Sequence, residues 1–191
     1  MVLTSRFEEA LVFATQLHAE QWRKGTHIPY IAHLLAVASI VLENGGSEDE
    51  AIAGLLHDAI EDQGGSVARE EIRQRFGENV VAIVNGCTDA DVTPKPPWRV
   101  RKETYIEHLR VAPPSIRLVA AADKLHNARA VLADYRELGE TLWRRFHGGR
   151  EGTLWYYRSV ADALRQSGTS PLIEELERVV SEIERLASAN Y

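Results

Sequence analysis

Four ionisable side chains interrupt an apolar segment in Leu55-Leu56-His57-Asp58-Ala59-Ile60-Glu61-Asp62. Charged side chains are seldom fully buried in proteins unless they are paired or bind a metal. A His-Asp doublet followed one helical turn later by a Glu-Asp doublet therefore indicates metal chemistry. A His-Asp pair alone is a weak signal, so the prediction depends on further donors elsewhere in the chain.

Two further candidate donors lie in other apolar stretches. His33 opens one of them, and Asp123 closes another. Together with the doublet they give two imidazoles and two carboxylates. Such a mixed nitrogen and oxygen set suits Mn²⁺, Fe²⁺ or another hard-to-borderline divalent ion better than a thiolate-rich structural zinc site does. We therefore predict that one metal ion is bound by His33, His57, Asp58 and Asp123, with positions left open for water and a substrate oxygen.

Helical spacing predicts what surrounds these ligands. Residues i and i+4 lie on one face of a helix, so Glu61 shares a face with His57, and Asp62 shares one with Asp58. We expect both acids to lie beside the metal without binding it. A carboxylate placed there orients or deprotonates water, or protonates a leaving group. Burial and a neighbouring carboxylate would raise the pKa of one member of the pair.

Apolar spacing and helix-end signals predict helices along nearly the whole chain. Ser47 and Glu50 form a capping box that opens the helix carrying the His-Asp doublet, and Gly64-Gly65 ends it. We expect one all-α domain over residues 1–191, a bundle of about nine or ten helices. The last helix is amphipathic and is expected to pack on the core, with a dimer face as the alternative. The predicted helices cover residues 6–21, 31–43, 47–63, 66–76, 78–88, 101–109, 115–138, 150–167 and 171–188.

Composition is that of an ordinary globular protein, with 191 residues, 45% apolar and 26% charged. No apolar run approaches the roughly 20 residues that span a bilayer, and the N-terminus has no signal-peptide pattern. The single cysteine, Cys87, excludes a disulfide framework and favours the cytoplasm. The net charge of −6 argues against general nucleic-acid binding, but an acidic chain can still bind a phosphorylated small molecule through local basic residues and a metal. Nothing in the sequence indicates the oligomeric state.

The motifs together resemble the HD-domain superfamily of metal-dependent phosphohydrolases. More narrowly, they resemble the hydrolase domain of the RelA/SpoT family and its free-standing members, the small alarmone hydrolases, including the metazoan one. The resemblance covers most of residues 5–165. It rests on three segments: residues 23–33 (RKGTHIPYIAH) resemble the family's R-x-G-x-P-Y-x-x-H, residues 57–62 (HDAIED) match its HDxxED, and residues 123–129 (DKLHNAR) resemble its D-[RK]-L-H-N-x-R.

The resemblance implies a specific reaction and a role for each matched residue. The family uses Mn²⁺ to remove the 3′-pyrophosphate of (p)ppGpp, giving GDP or GTP and pyrophosphate. The resemblance implies one Mn²⁺ on the four predicted ligands, with Glu61 and Asp62 handling the attacking water. Arg23 and Lys24 match the basic pair near the nucleotide. Asn127, one turn after Asp123, matches a substrate-contacting Asn.

One position departs from the family's pattern and keeps other functions open. Ala130 stands seven residues after Asp123, where the bifunctional members commonly have Thr. A different nucleotide substrate is therefore an alternative: an adenosine alarmone, the 2′-phosphate of NADPH, or a dNTP. A nucleotide-sensing module without turnover is a third interpretation, although the presence of both Glu61 and Asp62 counts against it.

For three further features of the sequence we expect a structural role first and a functional role only as the alternative. His18 is expected to be structural or solvated. The loop 89–102 is expected to be solvated, with a basic flap over phosphates as the alternative; its cations are Lys95, Arg99, Arg101 and Lys102. The aromatic run 155–157 is expected to pack in the core, with lining of a nucleotide pocket as the alternative.

Overall fold

Helices make up most of the computed structural model, which describes residues 2–90 and 94–189. The all-α prediction is confirmed: over these residues the one extended pairing is an isolated bridge between Trp22 and Pro29. None of the described helices is long and apolar enough to cross a membrane. The elements are α1 (Ser5–Leu17), α2 (Ile31–Glu43), α3 (Glu48–Leu56), α4 (Ala59–Gln63), α5 (Gly65–Phe76), α6 (Glu78–Cys87), α7 (Trp98–Val111), α8 (Pro114–Leu138), a 3₁₀ helix (Gly139–Arg145), α9 (Gly149–Gln166) and α10 (Pro171–Ala189).

The chain divides into two compact units. The first holds the residues up to 96 together with 112–122, and the second holds 97–111 and the residues from 123 onward. The change from one unit to the other at 122–123 falls inside the long helix α8. The single domain over residues 1–191 stays a prediction.

Helices α2 and α3 form the centre of the first unit. Leu34, Val37 and Val41 of α2 are fully buried, and the second half of α3 is buried throughout. The two helices approach closely at Gly54, where a Cβ atom would lie 3.3 Å from the Ala38 Cα. Because the helices are antiparallel neighbours joined by a short turn, this packing places the start of α2 against the end of α3.

A Gly54→Val substitution is expected to destabilise the first unit. The added branched side chain meets the backbone of α2, which cannot move aside as a flexible side chain would. Overpacking of this kind costs about 1–3 kcal/mol. Urea unfolding measures the change in the free energy of unfolding. The control is Ala82→Val on the exposed face of α6, for which we expect a change within about 0.5 kcal/mol; equal stabilities of the two variants would contradict the prediction.

The helix predicted across the His-Asp doublet is two helices in the structure. Helix α3 ends at Leu56 and α4 begins at Ala59, with the doublet in the turn between them. Asp58 has φ −97° and ψ −2°, a right-handed conformation distorted from ideal helical values. The Gly54 carbonyl, which in a continuous helix accepts from residue 58, accepts here from the His57 ring at 2.9 Å. The prediction of one helix was therefore wrong at this point, because a ring nitrogen competes for a main-chain acceptor.

Helices α7, α9 and α10 pack together in the second unit. The apolar face of α10, including Leu176, Val180 and Ile183, is buried. Arg158 of α9 donates to Glu184 of α10 at 3.0 Å, on the border of this apolar contact. The amphipathic C-terminal helix therefore packs on the core of its unit, as the first interpretation predicted.

The predicted loop 89–102 ends earlier than expected. Helix α7 begins at Trp98, so Arg99, Arg101 and Lys102 lie on a helix and not in a loop. The Trp98 ring of the first turn of α7 packs against Gly148, where a Cβ atom would lie 2.7 Å from it. Residues 91–93 of the predicted loop lie outside the described residues.

Candidate metal centre and active site

Three of the four predicted ligands meet in the first unit. His33 lies in the first turn of α2 and His57 directly follows α3, and both rings are almost fully buried. Their Nε2 atoms are 3.3 Å apart. Asp58 Oδ2 lies 3.0 Å from the His57 Nε2 and 3.7 Å from the His33 Nε2. The three donor atoms all lie within 4.8 Å of one another.

The protonation of His57 follows from its second ring nitrogen. Nδ1 lies 2.9 Å from the Gly54 carbonyl oxygen, which can only accept a hydrogen bond. Nδ1 therefore carries the hydrogen, and in the neutral ring Nε2 presents its lone pair to the cluster. Metal-binding histidines are held in this way, with the other N–H donated to a carbonyl or carboxylate.

The donor set fits a divalent cation. Two imidazole nitrogens and a carboxylate oxygen converge from a buried apolar surrounding that includes Leu34 and Leu56. Polar groups removed from water need a partner for their lone pairs. A cation between the two imidazole nitrogens and the carboxylate oxygen would be a partner for all three atoms. Nitrogen and oxygen donors without thiolate suit a borderline divalent metal.

Tyr30 supports the Asp58 carboxylate. Its hydroxyl donates to Asp58 Oδ2 at 2.5 Å, and its ring meets the His33 ring edge-on with centroids 5.5 Å apart. The residue lies one turn before His33, so the same helix start supplies a ligand and its support. Tyr30 belongs to the Pro-Tyr pair that the sequence motif places before His33. Its hydrogen bond to Asp58 could not be predicted from spacing, because the two residues are 28 positions apart.

Glu61 lies on α4, one turn after the doublet. Loss of hydration on burial raises the pKa of its carboxyl group first, and the charges of Asp89 and Asp58 raise it further. Lys95 opposes this: its Nζ lies 2.9 Å from Glu61 Oε1 and lowers the pKa. A residue of the predicted loop therefore forms an ion pair with a candidate catalytic acid.

Asp62 also has a raised pKa, first because water is removed from around its carboxyl group and then because of the Asp58 charge. Its main-chain N–H donates to the Asp58 carbonyl at 3.0 Å, which keeps the predicted one-turn spacing despite the break before α4. Gln21 donates to Asp62 Oδ2 at 2.8 Å. The sequence predicted a raised pKa for one acid of the pair Glu61 and Asp62. In the structure the pKa of both carboxyl groups is raised.

Arg23 and Lys24 lie in the turn between α1 and α2. The turn is closed by the Arg23 N–H, which donates to the Ile28 carbonyl at 2.8 Å, and Gly25 adopts φ +73° at its tip. The Arg23 guanidinium lies 5.9 Å from the centre of the Tyr30 ring. Since Tyr30 contacts Asp58, Arg23 borders the donor cluster, whereas Lys24 is exposed in the same turn.

Asp123 and Asn127 lie on α8 in the second unit. Asp123 is 5% exposed, and its two carboxylate oxygens accept from Lys124 Nζ and Asn127 Nδ2, each at 2.5 Å. Asn127 therefore reaches back one turn to Asp123 with its amide, and its contact with substrate stays a prediction. The donor cluster itself consists of His33, His57 and Asp58; binding of the metal by Asp123 stays a prediction.

Lys124 keeps a permanent positive charge beside Asp123. Burial by itself would lower the pKa of the ammonium group, but the Asp123 charge, with Tyr156 and Tyr105, outweighs it and raises that pKa well above its usual value. Its Nζ lies 5.1 Å from the centre of the Tyr105 ring and 5.9 Å from that of Tyr156.

The basic residues at the start of α7 lie on aromatic rings of α9. The Arg99 guanidinium is 3.2 Å from the centre of the Trp155 ring, and the Lys102 Nζ is 4.9 Å from that of Tyr156. Cations placed over ring faces are attracted by the ring quadrupole. These contacts replace the solvated loop that the sequence predicted here, while the buried Tyr156 and Tyr157 match the expectation of core packing.

Comparison with known proteins finds one matching family and several relatives that carry the same enzyme name. The HD domain family matches residues 10–154. A Xenopus tropicalis protein named guanosine-3′,5′-bis(diphosphate) 3′-pyrophosphohydrolase MESH1 is 41% identical over 124 residues, which are 63% of this chain and 66% of that protein. The Mus musculus protein of the same name is 36% identical over 87% of this chain and 88% of its own length. A Synechocystis protein named as a probable enzyme of this activity is 38% identical, but the match spans 16% of its length.

Two solved structures resemble the fold. The structure of a metazoan orthologue of SpoT, described as hydrolysing ppGpp, has a TM-score of 0.80 and 26% identity, and the match covers 95% of this chain and 97% of that one. The Listeria monocytogenes protein lmo0812 has a TM-score of 0.73 and 29% identity, over 80% of this chain and 99% of that one. From the family match over residues 10–154 and the near-full-length relative, we conclude that the chain belongs to the HD-domain family, in the group that contains the MESH1 proteins.

Proposed function

We propose that the protein removes the 3′-pyrophosphate of guanosine alarmones, converting ppGpp to GDP and pppGpp to GTP with release of pyrophosphate. The observation that carries the proposal is the donor cluster of His33, His57 and Asp58 with two carboxylates one turn away. It lies in a chain whose relatives bear the name of this activity. The matched region, 10–154, runs through both units, which supports one hydrolase domain.

The proposed metal is one Mn²⁺ ion, with other divalent metals as alternatives. His33, His57 and Asp58 would hold it, and we propose Asp123 as the fourth ligand on the basis of the sequence motif. When bound, such an ion would polarise a phosphoryl oxygen of the substrate and acidify water.

The side chains divide the remaining chemistry. Glu61, whose ion pair with Lys95 opposes the rise in its pKa, accepts a proton from the water that attacks the phosphorus bonded to the ribose 3′-oxygen. The bond from that phosphorus to the ribose 3′-oxygen breaks, and Asp62 returns a proton to this oxygen. Arg23 and Lys24 offer a planar guanidinium and a point charge to the nucleotide, and Asn127 offers an amide.

A substrate panel tests the proposal. Purified protein with Mn²⁺ is incubated with ppGpp, pppGpp, ppApp, NADPH and dGTP, and the products are separated and quantified. Pyrophosphate and GDP from ppGpp, without turnover of the others except pppGpp, support the proposal. Turnover of NADPH or dGTP alone would contradict the proposal and identify a different substrate. Tight nucleotide binding without any turnover would favour a nucleotide sensor.

The pH dependence of hydrolysis provides a further prediction. Lys95 lowers the pKa of Glu61, so Lys95→Gln is expected to raise that pKa above its already elevated value. Glu61 accepts a proton only when ionised, so the acidic limb of kcat/KM moves to higher pH, and activity near the limb falls. Lys95→Arg keeps the charge and serves as the control. If the acidic limb of the kcat/KM profile lies at the same pH in wild type and Lys95→Gln, Glu61 is not the group whose ionisation the limb reports.

A further inference from the structure

Gln21 connects Asp62 to the interior of the first unit. Its Nε2 donates to Asp62 Oδ2 at 2.8 Å. Its Oε1 lies 2.5 Å from the Gln63 Nε2 and 2.6 Å from the His18 Nδ1. Because an amide oxygen can only accept, both partners donate to it. Two donors on one side thereby fix the amide with its NH₂ group facing the Asp62 carboxylate.

His18 anchors this arrangement. The residue ends α1, where its N–H donates to the Ala14 carbonyl, and it is 2% exposed. Burial lowers the pKa of the imidazole, so the ring is neutral near pH 7 and carries its hydrogen on Nδ1. Its Nε2 is buried, and among the described residues it has no hydrogen-bond partner. A buried nitrogen without a partner costs stability, so this ring is not explained by stability alone.

The same ring also braces the other side of the site. The His18 and Tyr30 rings stack with centroids 5.3 Å apart and planes 19° from parallel. Tyr30 in turn donates to Asp58. One buried imidazole therefore supports Asp62 through Gln21 and Asp58 through Tyr30.

Asp62 needs such support because it has room to move. A cleft of about 670 Å³ opens between the end of α1 and α4, and Gln21, Asp62 and Gln63 line it. Without the Gln21 amide, the carboxylate could turn into this cleft and toward water. Catalytic groups depend on being held near one productive orientation.

We propose that His18 and Gln21 are positioning residues of the hydrolase, which hold the Asp62 carboxylate in the one orientation from which it acts. The proposal rests on the proposed function, in which Asp62 takes part in proton transfer. The rival explanation is a purely structural link between α1 and α4. The two explanations differ in whether loss of Gln21 matters when Asp62 is already inactive.

A double-mutant cycle on the full-length protein with Mn²⁺ separates them. Gln21→Leu is expected to lower kcat for ppGpp by about 10²-fold, the scale of a small misplacement of a catalytic group, with a much smaller change in KM. In an Asp62→Asn background the same substitution is expected to change kcat little, because residues that act through one another are not additive. Gln16→Leu, a glutamine on α1 that lines the same cleft, is the matched control and should retain wild-type kcat.

Three results would overturn the proposal: wild-type kcat in Gln21→Leu, an equal fold-loss in the Asp62→Asn background, or a loss that appears wholly in KM. If Gln21→Leu does not fold, His18→Phe takes its place, because it keeps a ring against Tyr30 and removes only the donor to Gln21. If the wild type acts on another nucleotide of the panel, the cycle is run on that substrate.

A wild type that turns over no nucleotide rejects the proposed function and still leaves the positioning to be measured. Crystal structures of wild type and Gln21→Leu then report the Asp62 rotamer. One rotamer in wild type, and a different or divided one in the variant, supports the proposal. The same single rotamer in both proteins overturns it.

Discussion

Asp58→Ala is expected to lose bound Mn²⁺ and all measurable hydrolysis of ppGpp. Asp58 supplies the carboxylate of the cluster, and its Oδ2 is the oxygen that lies 3.0 Å from His57 and accepts from Tyr30. Without it, the cluster keeps only two neutral imidazoles 3.3 Å apart, and the proposed ligand Asp123 is the one carboxylate left for a divalent cation. The loss of affinity should exceed the roughly 10–100-fold that follows from removing a group which only supports a ligand.

Isothermal titration with Mn²⁺, together with metal analysis of the purified protein, measures this effect. Tyr30→Phe is the matched comparison, because it keeps every ligand and removes only the hydroxyl that orients Asp58. We expect its metal affinity to fall by about 10–100-fold. Affinity near that of the wild type in Asp58→Ala would place the metal elsewhere and would remove the basis of the proposed function.

Glu61→Gln is expected to keep the metal and to lose about 10²–10⁴-fold in kcat, the range for removal of a general base. The amide has nearly the shape of the carboxylate but accepts no proton at ordinary pH. Glu61 is not one of the three donors of the cluster, so the affinity for Mn²⁺ should stay close to that of wild type. The measurement pairs steady-state pyrophosphate release with the same metal titration.

The control for Glu61→Gln is Glu20→Gln, which removes an exposed acid at the edge of the neighbouring cleft. It loses the same negative charge without touching the ion pair between Lys95 and Glu61. Its kcat should stay near the wild-type value. If Glu61→Gln reacts as fast as this control, Glu61 has no part in proton transfer.

The sequence alone determined the helical class, the donor types and their local spacing. Helix periodicity and capping depend on residues within a few positions of one another, so Ser47 with Glu50 predicted the start of α3, and both hydrogen bonds of that capping box are present. Asn127 donates to Asp123 one turn away, a contact that depends on the same local helical spacing. Side-chain chemistry alone was enough to name the candidate metal donors.

Local signals were weakest where a tertiary contact competes with the helix. At the break after Leu56 the His57 ring donates to the Gly54 carbonyl, and at the early start of α7 the Trp98 ring packs against Gly148. The 3₁₀ helix Gly139–Arg145 was not predicted, because a short helix with three residues per turn leaves no apolar period of 3.6 to read.

Tertiary structure alone decided which side chains complete the site. The contact of His33 with His57, 24 positions apart, and the ion pair of Lys95 with Glu61, 34 positions apart, join residues whose separation carries no periodic signal. His18 was expected to be structural or solvated, and it is buried; its link through Gln21 to Asp62, 41 positions after Gln21, had no signal in the sequence. Hydrogen bonds and ion pairs act over a few ångströms in space, whatever the distance along the chain. The sequence could therefore name the donors, whereas only the packing of α1, α2 and α3 could bring them together.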